Sequence, residues 1–96
     1  MNKLEEARLV INQVDEDMIE LFVKRMKAVK QVAEYKLENK LPVLDSSREG
    51  EIKSKNLNIL SNKELEKFYL EFFDGVLRSS KDYQYDLIED YQKKNL

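Results

Sequence analysis

From Leu4 to Tyr35 apolar side chains return alternately every three and four residues: Leu4, Ala7, Ile11, Val14, Met18, Leu21, then Ala28, Val32 and Tyr35. Arg25 is the one break in this heptad seam. A 3.5-residue repeat of this length commits the segment to a single long helix whose seam is buried against other helices. Arg25 constrains the interior further. Its guanidinium cannot shed a proton, so on a buried seam it needs an anion or a set of acceptors. That counter-group is either a carboxylate of the chain itself or a ligand.

Length turns the seam into an argument about assembly. The helix runs from about Lys3 to Asn39, which at 1.5 Å per residue is about 55 Å. A compact globule of 96 residues is only about 30 Å across. A lone subunit would leave much of the seam in water, so the sequence predicts an obligate, intertwined homodimer in which the long helices share a core.

The rest of the chain reads as helix too. Gly50, Gly75 and Pro42 are the only residues of their kinds, and no segment alternates as a strand would. Asn39 and Pro42 stop the first helix, because Pro42 biases Leu41 away from helical angles. A loop from Lys40 to Asp45 leads to a second helix, opened by the capping-box pattern Ser46-Ser47-Arg48-Glu49 and running to about Leu60. Gly50 inside it costs roughly 1 kcal/mol of helix propensity. A second box, Ser61-Asn62-Lys63-Glu64, opens a third helix with the stripe Leu65, Phe68, Tyr69, Phe72, Phe73, Val76, Leu77, Tyr83, Leu87 and Tyr91. The expected fold is one all-α domain over residues 1–96, three helices with one very long.

Composition removes whole classes of chemistry. With no cysteine and no histidine, the chain has no disulfide, thiolate nucleophile, ordinary zinc site or histidine base. A net charge of −2 gives no basic excess for nucleic acid or an anionic membrane. The charged start, Met-Asn-Lys-Leu-Glu-Glu, is unlike a signal peptide, and no apolar run is long enough to span a bilayer. Lack of cysteine fits a reducing compartment. A cytoplasmic protein without cofactor is expected.

Polar groups interrupt the apolar stripes at a telling spacing. Lys36 lies three turns after Arg25 and only about 20° around the axis, so the two cations line one face about 16 Å apart. Arg8 is about 25 Å from Arg25 on another azimuth. It can join the same small ligand only from a second, antiparallel copy. On the third helix Ser80 and Gln84 stand in line with Phe73, Val76, Leu77, Leu87 and Tyr91. Asp45, Arg48 and Glu49 lie between the long helices. Singly, each has a plain structural reading. Arg25 suits a core ion pair with Asp or Glu on the third helix; Arg8 and Lys36 suit solvated flanks; Asp45 suits a cap or turn. Glu49 suits the third position of a capping box, and Arg48 an exposed first turn. The joint spacing is what favours a site.

That spacing resembles the all-helical class of chorismate mutase over nearly the whole chain. The matching residues are Arg8, Asp15-Glu16, Arg25, Lys36, the run Pro42-Val43-Leu44-Asp45-Ser46-Ser47-Arg48-Glu49, and Ser80 with Gln84. The resemblance implies a cofactor-free pericyclic rearrangement of chorismate, a small dianion, to prephenate in aromatic amino-acid biosynthesis. It implies that Arg25, with Arg8 from the partner subunit, grips the two carboxylates. Lys36 and Gln84 donate to the ether oxygen. Glu49, with the backbone near Asp45, accepts from the ring hydroxyl, and Arg48 and Ser80 complete the carboxylate shell. An isochorismate pyruvate lyase and a non-catalytic helical dimerisation module are the alternatives.

Overall fold

A computed structural model describes residues 1–95 of the chain. Its elements are α1 (Lys3–Glu38), α2 (Ser46–Leu60) and α3 (Lys63–Lys94). Every helix starts on a side chain that accepts from an otherwise orphaned N–H. Asn2 takes the N–H of Glu5, Asp45 that of Arg48 and Asn62 that of Leu65. Both capping boxes read from the sequence are therefore displaced. Asp45, not Ser46, caps α2, which moves Glu49 one place beyond the box. Ser61 ends α2 in the left-handed region at φ 47°, and its neighbour Asn62 opens α3.

The end of α1 is held twice at Lys36. Lys40, at φ 54°, occupies the left-handed position after the cap residue Asn39. The N–H of Leu41 returns to the Lys36 carbonyl at 2.8 Å, and that of Lys40 to Leu37 at 3.4 Å, the paired closure of a Schellman turn. The Lys36 ammonium then donates to the Val43 carbonyl at 2.7 Å. Val43 is buried, so one residue of α1 fixes the whole approach to α2.

α3 is the centre of the fold. α1 packs along it in the same direction, with Met18, Leu21 and Phe22 beside Tyr69, Phe72 and Phe73, and Leu37 beside Leu87 and Tyr91. α2 runs antiparallel on another side of α3. It is tied there by Glu49 to Lys81, Lys53 to Asp74 and Asn56 to Tyr69. α1 and α2 both pack on α3 and not on each other, so they form two walls over an α3 floor.

The buried core is small: Val29, Ala33, Val43, Phe73 and Leu77. The heptad seam, expected to be covered by helices of a second copy, lies outside this core. Leu4, Ile11, Val14, Met18, Leu21, Val32 and Tyr35 are all exposed in the single chain. Val29 and Ala33, beside the seam, meet α3 instead. The α3 stripe is likewise only half used, with Leu65, Phe68, Phe72 and Tyr91 outside the core. The subunit is 60 Å long with a radius of gyration of 17.2 Å, against about 12–13 Å for a compact chain of this length. It exposes 8135 Å², where a compact monomer of its mass exposes roughly 5,800 Å².

Candidate active site

The floor residues come first, because α3 puts two polar side chains where its neighbours are apolar. Ser80 and Gln84 are each only 6% exposed. One helical turn apart, they stay on one face, and Lys81 is turned about 100° from Ser80. Gln84, about 40° from Ser80, thus stands between the side facing α1 and the side facing α2.

Arg25 meets this floor from α1. Its Nη1 donates to the Ser80 hydroxyl oxygen, while that hydroxyl donates to the Val76 carbonyl at 2.9 Å. The back-bond fixes the Ser80 proton inside α3 and turns a lone pair to the guanidinium. Among the described residues no Asp or Glu pairs with Arg25, so the plain reading of a core ion pair is not what the chain builds. A half-buried guanidinium held by a neutral acceptor keeps its remaining donors, and its charge, for something else.

Gln84 carries the other unbalanced group. Its amide oxygen is buried without a hydrogen-bond partner. Leaving a buried acceptor unpaired costs about 1–3 kcal/mol, and such orphans mark places where a protein meets something besides itself.

Glu49 reaches the floor from the first turn of α2. Freed from the box by Asp45, its carboxylate accepts from Lys81 Nζ at 2.9 Å. One turn on, Lys53 pairs with Asp74 at 2.7 Å. That hydrogen bond, opposed by desolvation and aided by the charges of Asp74 and Glu49, raises the Lys53 pKa above the ordinary ammonium value. Lys36, half-buried, keeps two N–H donors after serving Val43.

The structure therefore brings Arg25, Ser80, Gln84 and Glu49 together around α3 and sets Lys36 at the loop that delivers α2. Arg48 is exposed in the first turn of α2, and the side chain of Asp45 is occupied as its cap. Arg8 stands apart, exposed on the projecting part of α1. The sequence did not point to Lys81 or the Val43 carbonyl. Lys81 follows Ser80 directly, but only the antiparallel placement of α2 gives it Glu49 as a partner. No group of three carboxylates suited to a metal occurs among the described residues. No helix there is long and apolar enough to cross a membrane.

The family model described as chorismate mutase type II matches residues 7–85, and the chain belongs to that family. The match spans every candidate residue from Arg8 to Gln84. No curated protein and no solved structure gives a significant match.

Proposed function

We propose that this member of the chorismate mutase type II family is an isomerase that converts chorismate to prephenate, working as a homodimer in the cytoplasm. The observation that carries the reading is an uncompensated guanidinium at Arg25 on the same floor as the buried Gln84 side chain. A small dianion with an ether oxygen pairs with the guanidinium and accepts from the amide N–H.

In this rearrangement the ether C–O bond breaks as a new C–C bond forms within the same molecule. No proton moves and no nucleophile attacks, so a site without histidine or cysteine is sufficient. What the protein must do is fold the substrate and stabilise charge as it appears on the ether oxygen. Arg25, with Arg8 from a second copy, holds the two carboxylates and thereby the reactive conformer. Ser80 keeps the Arg25 guanidinium in place. Lys36 and the Gln84 amide N–H donate to the ether oxygen, and a preorganised donor of this kind contributes on the order of 3–4 kcal/mol. Glu49 accepts from the ring hydroxyl, and Arg48 adds positive charge at the rim beside the Asp45 turn.

The dimer in this reading rests on surface. The subunit exposes roughly 2,300 Å² more than a compact monomer, and obligate dimers bury about 1,000–2,500 Å² per partner. Exposed apolar residues include the seam from Leu4 to Leu21, a stretch that also carries Arg8, and Phe68 and Phe72.

The test is product identification after incubating pure protein with chorismate and, separately, with isochorismate. Prephenate from chorismate supports the proposal. Pyruvate from isochorismate, without prephenate, would make the protein a lyase. Turnover of neither would leave a helical dimerisation module.

A further inference from the structure

Lys81 has no part in the reading above, yet it makes an ion pair that joins α2 to α3 beside Ser80. Its Nζ lies 2.9 Å from Glu49 Oε1, with the carboxylate side chain 23% exposed and the lysine 30%. It is flanked on α3 by Ser80, which holds Arg25, and is three residues from the orphaned Gln84 amide. On α2 the next cation, Lys53, is already engaged with Asp74 at 2.7 Å. Among the described residues Glu49 therefore has a single direct cationic partner, and it comes from the floor of the site.

We infer that Lys81 is a positioning residue that acts through Glu49. A carboxylate has two oxygens with about four acceptor sites. With Oε1 fixed on Lys81, the side chain loses its freedom to swing about the α2 axis, and Oε2 is presented in one orientation. On the mutase reading, on which this inference rests, Oε2 is the acceptor for the substrate's ring hydroxyl. Lys81 touches no substrate atom in this account. It sets the geometry of a residue that does.

The test is a double-mutant cycle in the full-length chain with chorismate, using Lys81→Met, Lys81→Arg and Glu49→Gln. Methionine keeps most of the apolar stem and removes the charge. Lys81→Met should lower kcat/KM roughly three- to tenfold, and Lys81→Arg should restore most of it. In the Glu49→Gln background the same Lys81→Met change should have no further effect, since its route to the substrate is gone. Thermal unfolding of each variant shows whether the fold persists. A lysine serving only to staple α2 to α3 would shift the melting temperature without this pattern. An undiminished loss in the Glu49→Gln background would mean that Lys81 meets the substrate directly, and it overturns the inference. So does an active parent with an equally active Lys81→Met variant, which leaves the mutase reading intact. A parent that does not turn over chorismate removes both.

Discussion

The two halves of α1 obey the same heptad and meet opposite fates. From Arg25 onward the helix buries residues against α3, Val29 and Ala33 among them, and brings Arg25 to Ser80. Before Arg25 every residue is exposed, although Leu4, Ile11, Val14, Met18 and Leu21 are as apolar as anything in the core. A sequence does not repeat a hydrophobic seam for 18 residues, from Leu4 to Leu21, in order to wet it. The second half shows what a packed α1 looks like, and the first half carries a surface of the same design that stays exposed in the single chain. The only candidate site residue on that bare half is Arg8.

The largest expected effect tests the packed half. Lys36→Ala removes a donor to the ether oxygen, so turnover should fall roughly 100- to 1000-fold, with helical circular dichroism retained. Near-normal turnover would end the assignment of Lys36 to the chemistry. Next comes the bare half. Ile11→Lys is harmless to a lone subunit, where Ile11 is 56% exposed and such surface changes alter stability by only about 0.5 kcal/mol. Between two copies it would bury an unpaired charge and weaken the dimer by at least about a hundredfold. Light scattering across a dilution series decides between these. The smallest effect lies outside both halves. A methyl group added at Gly50 meets nothing within 4 Å, so Gly50→Ala should stabilise the protein by about 0.5–1 kcal/mol in urea unfolding. A loss of stability there would mean that α2 is covered in the assembly.

Much of this was legible in the chain. Periodicity and the scarcity of glycine and proline located the three helices, and the interruption of two apolar stripes located Arg25, Lys36, Ser80 and Gln84. What escaped depends on three dimensions. Asp45 and Asn62 each stand beside a serine that is an equally good cap, and only backbone angles choose between them. The sequence left Arg25 either a carboxylate of the third helix or a ligand as its counter-group, and did not point to the Ser80 hydroxyl, which it meets because α1 lies against the polar floor. Lys81 is an unremarkable charge until α2 folds back antiparallel and sets Glu49 before it. Which side of α1 meets α3 decides how much of the seam a single subunit covers, and no local pattern encodes that.

The central claim is that each site takes Arg25 from one chain and Arg8 from another. Arg8→Ala and Arg25→Ala proteins, each inactive alone, should be unfolded together, refolded as a mixture and assayed with chorismate. Each heterodimer then holds one site with both arginines and one with neither, and random pairing makes about half of the dimers mixed, so roughly a quarter of parental activity should return. Verified heterodimers that remain as inactive as the two separate variants would contradict a shared site.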